Sequence, residues 1–244
     1  NPKPGEEDRK QTRILKEASS MLDITLIDHI IISDSKYYSF SENSGIWRGI
    51  FLPLLKFTEM DIINLEQQNS VLNQYIVEIR DQIIQKDSLR FRKNLERIGA
   101  YIACEISKKL EYKPLEVTTP LGIAQTSTYE NNIVIASILR AGIPLHDGIL
   151  SIFDRAQNAF IGAYRKYGKD NKFNIEVEYA SAPNIEGKVL ILADTMLATG
   201  ASLVLAYERL LKNGTPKHTH IVSTIASADG VDYLQKHISD KNVT

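Results

Sequence analysis

From Ile133 onward, short uninterrupted apolar runs alternate with helical stretches, and this alternation limits what the chain can fold into more than any other feature. The runs are Ile133 to Leu139, Ala159 to Tyr164, Val189 to Ala193 and His220 to Ile225, and the helical stretches lie near Leu145 to Phe153, Ser202 to Lys212 and Gly230 to His237. A strand that is apolar at nearly every position is buried on both faces, and strands joined through helices lie parallel. The expected class is therefore α/β, a parallel sheet flanked by helices. Tyr167 to Ser181, with Gly168 to Lys172 ahead of the alternating Phe173 to Tyr179, reads as an antiparallel hairpin projecting from that sheet.

Upstream, Gln68 to Gln85 and Asp87 to Leu110 read as two helices, with Asp87 as the N-cap of the second. Val117 to Thr119 and Ile123 to Thr128 flank Pro120-Leu121-Gly122, a turn signal that makes them a hairpin. The first residues give a short α+β fragment: a helix from Glu6 to Leu22 with Ile14, Leu15, Ala18, Met21 and Leu22 at helical spacing, a strand from Ile24 to Ile32 and a second from Tyr37 to Phe40. About 45 residues are too few to bury a core alone. Gly45 to Glu59, with Trp47, Phe51, Leu52, Leu54, Leu55 and Phe57, is too apolar for a flexible linker. The expected organisation is a fragment at 1–47, an apolar connector at 48–59 and a main domain at 60–244.

Charge narrows the function classes. Lys plus Arg (29) and Asp plus Glu (30) nearly cancel, so no chain-wide basic field holds nucleic acid, and any anion must be held locally. No stretch has the roughly 18 to 20 uncharged apolar residues of a membrane span. The single cysteine, Cys104, excludes an intrachain disulfide and reads as a buried thiol on a helix in a reducing cytoplasm.

The chemistry concentrates in Val189-Leu190-Ile191-Leu192-Ala193-Asp194-Thr195-Met196-Leu197-Ala198-Thr199-Gly200-Ala201-Ser202, where a buried strand ends in a carboxylate, turns through small residues and enters a helix. Ligands bind beyond the carboxyl ends of parallel strands, and a helix N terminus offers unpaired N–H groups to a phosphate. Thr199 and Ser202 add hydroxyl donors, Gly200 lets backbone approach the phosphate, and Asp194 is placed to accept hydrogen bonds from two sugar hydroxyls. The plainer alternative is an ordinary βα turn capped by Thr or Ser. Arg140 ends one strand and Arg165 another, on the same sheet edge as Asp194, and a planar guanidinium suits a di- or triphosphate. Either arginine alone would also fit a surface ion pair.

Asp194-Thr195-Met196-Leu197-Ala198-Thr199-Gly200-Ala201-Ser202 resembles the phosphoribosyl pyrophosphate (PRPP) loop of uracil phosphoribosyltransferases, usually Asp-Pro-Met-Leu-Ala-Thr-Gly-x-Ser. Ile138-Leu139-Arg140-Ala141-Gly142 resembles the family's pyrophosphate-side motif, and Tyr164-Arg165 the start of its hood. The resemblance, covering about Met60 to Thr244, implies the type I phosphoribosyltransferase fold and transfer of phosphoribosyl from PRPP to uracil, giving UMP and pyrophosphate with magnesium. It implies that Asp194 to Ser202 hold the ribose hydroxyls and 5′-phosphate, that Arg140 and Arg165 face the pyrophosphate, and that the helices from Gln68 to Leu110 pack on a second subunit of a homo-oligomer. Activation by GTP, seen in some relatives, cannot be read from these residues. Thr195 stands where the family usually has Pro, which is expected to loosen the turn, and Ala193 stands where it usually has Val. The family's uracil-binding segment, near Tyr-Ile-Val-Pro-Gly-Leu-Gly-Asp-Ala-Gly, belongs beyond residue 244, so these 244 residues are expected to bind PRPP with little or no uracil turnover.

Residues 1 to about 47 are similar instead to the end of a RadC-like JAB/MPN domain, on Pro4-Gly5-Glu6-Glu7-Asp8, Leu26-Ile27-Asp28-His29-Ile30-Ile31-Ile32 and Tyr37-Tyr38-Ser39-Phe40. That resemblance puts Asp8 at the place of a zinc ligand, but the two histidine ligands are absent, and Asp8 reads better as a charge at a helix N terminus, with His29 as a strand residue. The simplest account of the two parts is two neighbouring reading frames joined or clipped, with Met60 as the transferase's own start. Two other functions stay open: a PRPP- or nucleotide-binding module without turnover, and a RadC-like DNA-associated factor.

Overall fold

The computed structural model describes residues 4–21, 29–33, 36–40, 60–167, 173–238 and 240–244. The chain divides into two compact units, 1–57 and 58–244. The connector expected at 48–59, most of the strand expected from Ile24 and the hood tip at 168–172 lie outside the described residues.

In the first unit, α1 (Glu6–Met21) opens with Glu6, Glu7 and Asp8, at the end where the helix dipole favours negative charge. The Asp8 carboxylate accepts the Gly5 amide at 2.8 Å. Of the expected apolar stripe, Ile14 and Leu15 are exposed, while Thr12 is buried. Thr12 is satisfied there, donating to the Asp8 carbonyl at 2.6 Å and meeting His29 Nδ1 at 2.8 Å. β1 (Ile30–Ser33) and β2 (Lys36–Ser39) pair antiparallel, and His29, just ahead of β1, stacks on Phe40 at 5.1 Å.

The second unit opens with α2 (Val71–Arg80), where a helix was expected from Gln68 to Gln85. Ser70 and Asn73 form a capping box at its start, and Asp81 ends it by turning extended and accepting the Ile83 and Ile84 amides at 2.8 Å each. A short 3-10 turn, Ile84–Lys86, follows. Asp87 then caps α3 (Ser88–Ser107) through the Leu89 and Arg90 amides at 3.0 Å, as its position implied, although the helix stops short of Leu110. Glu78 joins α2 to α3: it accepts from Asn94 at 2.7 Å and from Arg90 at 3.0 Å. These bonds, with one from Gln74, hold its carboxyl at a pKa of about 2, the Asn94 bond contributing most. Cys104 lies on α3 but is exposed, not buried; Ile102, Ala103 and Ile106 take the inward positions.

β3 (Tyr112–Thr119) and β4 (Gly122–Tyr129) form the expected hairpin, longer than anticipated and solvent-exposed on both faces. Then follow β5 (Ile133–Leu139), α4 (Ile143–Ile152), β6 (Gln157–Tyr167), β7 (Phe173–Ser181), β8 (Val189–Leu197), α5 (Ala201–Leu210), β9 (His218–Ala226) and α6 (Ala228–His237). The sheet runs β7-β6-β5-β8-β9, parallel except for β7, which returns antiparallel on β6. Alternate residues of each strand feed two cores. Val134, Ala136, Leu190 and Leu192 pack with Leu203, Tyr207 and Leu210 of α5, and Ile133, Ile135 and Ile191 pack with Ile98, Ile102 and Ile149 of α3 and α4. The α3–α4 crossing requires glycine: a Cβ at Gly148 would lie 1.9 Å from the Glu96 carbonyl, and one at Gly99 2.3 Å from that of Leu145.

Candidate functional site

Parallel strand register sets the heights of the candidate residues. Ser137 pairs with Ala193, so Asp194 is level with Ile138, which pairs with Ile161. Arg140 is then two residues further out along β5, and Arg165 four residues further out along β6. All three lie toward the carboxyl end of the sheet, staggered. Arg165 does not end its strand, as expected, but sits within β6, because pairing with β7 prolongs that strand and places Arg165 opposite Ile175. Its side chain lies outside the described ones.

Asp194 likewise lies inside a strand. β8 was expected to end at Ala193, but its ladder with β9 continues through Asp194–Ser223, Met196–Ile225 and Leu197–Ala226. The carboxylate accepts the Thr195 amide at 2.8 Å. Burial is the dominant influence on it and lifts its pKa from 3.8 to about 6, against the opposing pull of the Thr195 and Met196 amides. Among the described residues no cation pairs with it. Thr195 is 5% exposed and in the strand, so replacing Pro there leaves no loosened turn.

The turn itself is Ala198-Thr199-Gly200. Gly200 has φ 77°, and a Cβ there would lie 2.9 Å from the Gly230 carbonyl, so glycine is required by backbone conformation and by contact with α6, before any phosphate is considered. It is also the N-cap of α5, and no side chain caps that helix. The Thr199 and Ser202 hydroxyls make no hydrogen bond among the described residues, which removes the plain Thr- or Ser-capped turn. α4, opening behind Arg140, also starts at a glycine, Gly142, without a side-chain cap. By contrast α2, α3 and α6 are capped by Ser70, Asp87 and Ser227. Among the five described α-helices of the second unit, the uncapped starts are the two at the site's edge. At α5 the first-turn N–H groups and the positive dipole end suit an anion, whereas at α4 the Ile143 N–H is held by the Arg140 carbonyl and Pro144 has none, so that start offers mainly its dipole.

Arg140 follows β5 in a turn closed by Ile143 N–H donating to the Arg140 carbonyl at 3.2 Å, and the Leu139–Arg140 peptide is cis. Arg140 is exposed, and no described residue forms an ion pair or hydrogen bond with its guanidinium. The ordinary surface ion pair is therefore absent among the described residues.

Sequence reasoning missed the residues that fix the Asp194–Ser202 loop from the side. Ser223 Oγ accepts the Leu197 amide at 3.0 Å, Ser227 Oγ donates to the Ala198 carbonyl at 2.5 Å, and Ser227 N–H donates to the Leu197 carbonyl at 2.9 Å. Placing the last helix at Gly230 hid Ser227, although a serine three residues ahead of that glycine is an N-cap signature. A second polar set, buried Ser137 and His146 with Asn158 at its exposed rim, underlies the loop at Arg140.

No group of three or more His, Cys, Asp or Glu side chains converges as a metal site among the described residues. The Asp8 carboxylate is engaged with the Gly5 amide. No helix among the described residues is long and apolar enough to cross a membrane.

Comparison with known proteins adds independent findings. Residues 66–244 match the uracil phosphoribosyltransferase family, and residues 1–46 match the RadC-like JAB domain. A uracil phosphoribosyltransferase from Porphyromonas gingivalis is 50% identical over 181 residues, covering 74% of this chain and 84% of that protein. One from Pyrococcus furiosus is 34% identical over 174 residues, covering 69% and 74%. Among solved structures, the AQ2163 protein from Aquifex aeolicus superposes with a TM-score of 0.66 at 26% identity, over 75% of this chain and 84% of that one.

Proposed function

The chain belongs to the uracil phosphoribosyltransferase family and has the type I phosphoribosyltransferase fold, and on that premise we propose that it transfers phosphoribosyl from PRPP to uracil, giving UMP and pyrophosphate. The observation that carries this reading is the pair of helices, α4 and α5, that open without side-chain caps at the sheet edge holding Asp194 and Arg140. In this reading Asp194 accepts the ribose hydroxyls. The residues Thr195, Met196, Leu197, Ala198, Thr199, Gly200, Ala201 and Ser202 surround the 5′-phosphate, with the first amides of α5 as donors. Arg140 and Arg165 face the pyrophosphate. As the bond from C1 of the ribose to pyrophosphate breaks, negative charge grows on the leaving group, and fixed positive groups stabilise it without reorganising.

The described carboxylates do not converge into a cage for a cation. Magnesium therefore fits as an ion carried in by PRPP and held largely by the substrate's own oxygens, where it would neutralise part of the pyrophosphate charge. Exposed Val71, Val77 and Leu89 on α2 and α3 favour a homo-oligomer, and we place the enzyme in the cytoplasm.

For residues 1–244 we propose PRPP binding. Asn242 to Thr244 begin a ladder on the outer edge of β9, with Thr219 N–H donating to Asn242 O and Ile221 N–H to Thr244 O, both at 2.8 Å. A cleft of about 790 Å³ lined by Ile62, Leu72, Ile76, Ile102, Thr224 and Ser227 continues along that edge.

Calorimetry with PRPP and magnesium on the 244-residue chain tests this reading. Binding is expected, and Arg140→Ala should weaken it roughly tenfold to a hundredfold, the loss of a charge-assisted contact of about 1.5 to 3 kcal/mol. No binding by the parent, or equal binding by the variant, would overturn it.

A further inference from the structure

Arg140 follows β5 and Arg165 lies in the outer part of the neighbouring strand β6, and one side chain joins those strands nearer their starts. His146 of α4 is 2% exposed; its Nδ1 lies 2.9 Å from Ser137 Oγ on β5 and its Nε2 2.8 Å from Asn158 Oδ1 on β6. An imidazole whose Nε2–H donates to the Asn158 carbonyl oxygen leaves Nδ1 to accept the Ser137 hydroxyl, so both ring nitrogens are used. The ring also lies on Phe160, centroid to centroid 4.9 Å, and Phe160 is the residue paired with Ser137 across the ladder. Burial keeps the imidazole's pKa below its ordinary value, which favours the neutral ring this arrangement uses. The backbone N–H of the same residue makes the first intrahelical bond of α4, donating to the carbonyl of its N-cap Gly142 at 2.9 Å.

Three elements thus meet at one residue: β5 three residues before Arg140, β6 seven residues before Arg165, and the helix whose uncapped start opens between them. Apolar packing alone holds two strands in a sheet, and a leucine at 146 would fill the space. What the hydrogen bonds add is direction: they fix how far α4 sits along β5 and β6, and hence where the Arg140 turn and the start of α4 stand relative to β6. We propose that His146 is a positioning residue for pyrophosphate recognition, setting the relative placement of the Arg140 turn and the arginine-bearing end of β6. The proposal rests on the reading of Arg140 and Arg165 as the pyrophosphate-facing pair. It separates that half of the site from the β8–α5 loop, which is fixed by Ser223 and Ser227 instead.

Calorimetry on the full chain, in magnesium, compares PRPP, inorganic pyrophosphate and ribose 5-phosphate. For His146→Leu, PRPP and pyrophosphate are expected to bind about tenfold more weakly, with ribose 5-phosphate unchanged within about twofold. Asn158→Ala, at the exposed rim of the same network, tests the β6 bond without risk to the core and should move in the same direction by a smaller factor. His146→Gln, which can return a donor to Asn158, should recover part of the loss. Equal weakening of all three ligands would make His146 a merely structural residue, and no weakening of PRPP in any variant would also overturn the proposal. A parent chain that binds none of the ligands would instead overturn the reading of the site itself.

Discussion

Asp194→Asn should make the ligand-free protein more stable while abolishing PRPP binding, and the gain should depend on pH. Burial raises the Asp194 carboxyl from 3.8 to about 6, so between those values the folded chain holds a proton that the unfolded chain has released. Its contribution to stability is complete below 3.8 and is lost as pH rises through 6. At about 1.4 kcal/mol per pKa unit, the penalty is about 3 kcal/mol at pH 7.5 and about 1 kcal/mol at pH 4.5. Asparagine never ionises, and its side-chain carbonyl still accepts the Thr195 amide that Asp194 now holds at 2.8 Å. Losing the second backbone contact costs about 1 kcal/mol at either pH. The stability gain of the variant should therefore grow by about 2 kcal/mol between pH 4.5 and 7.5. Native-state hydrogen exchange at Leu190, Ile191 and Leu192, fully buried in β8, reads the opening of this unit at both values. The same gain at both, or a loss at pH 7.5, would show that Asp194 is not ionised at a cost and would refute the reasoning.

Gly148→Ala should destabilise the second unit by about 3 kcal/mol or more, because its Cβ would meet backbone, which cannot swing aside as a side-chain tip can. Thermal unfolding checks this, and a change within about 0.5 kcal/mol would contradict the described α3–α4 crossing. The Glu78 carboxyl should titrate near 2 by carbon NMR, with its support for the α2–α3 contact present above 4.5 and lost as pH falls toward 2. A midpoint near 4.5 would mean that its bonds to Asn94 and Arg90 do not persist in solution.

The sheet was legible because β5 and β8 bury both faces and so announce themselves as apolar runs, and β5 begins and ends where the run Ile133 to Leu139 does. Strand ends were harder. β8 was cut at Asp194 because a charged residue suggests the surface, yet ladder bonds to β9 carry the strand three residues further while the carboxyl is held partly desolvated. β6 was cut at Tyr164 because the hairpin at Gly168 to Lys172 was read as a separate projection, whereas its return strand β7 pairs along β6 from Phe160 to Tyr167 and makes one continuous strand of it. Helix content was overestimated at Gln68 to Gln85, where Asp81 stops the helix by competing for the Ile83 and Ile84 amides. The inward placing of Cys104 failed for a related reason: a cysteine on a helix is read by residue type, but α3 packs through Ile98, Ile102 and Ile106, and Cys104 falls on the opposite face. In the candidate site, Asp194, Gly200 and Arg140 could be read from one local motif each. Ser223 and His146 could not, since each acts on a partner distant in sequence, and Ser227 could be read as a helix cap but not as a support of the Ala198 carbonyl 29 residues away.

The caps explain why the candidate site forms at this edge. A side-chain cap is worth about 1 kcal/mol, and α2, α3 and α6 each have one. α4 and α5 forgo it at Gly142 and Gly200, and at α5 the first-turn N–H groups stand unpaired among the described residues beside a carboxylate that is itself costly to ionise. Local preference is thus set aside at adjacent points on the edge, and rigidity comes instead from below and from the side, through His146 and through Ser223 and Ser227. On the proposed reading, PRPP relieves both deficits at once: its phosphates accept from the free amides and its ribose hydroxyls donate to Asp194. Occupancy should then stabilise the fold through these same groups, by about 2.7 kcal/mol at a hundredfold excess over Kd. Asp194→Asn, which loses PRPP binding, should gain almost none of it.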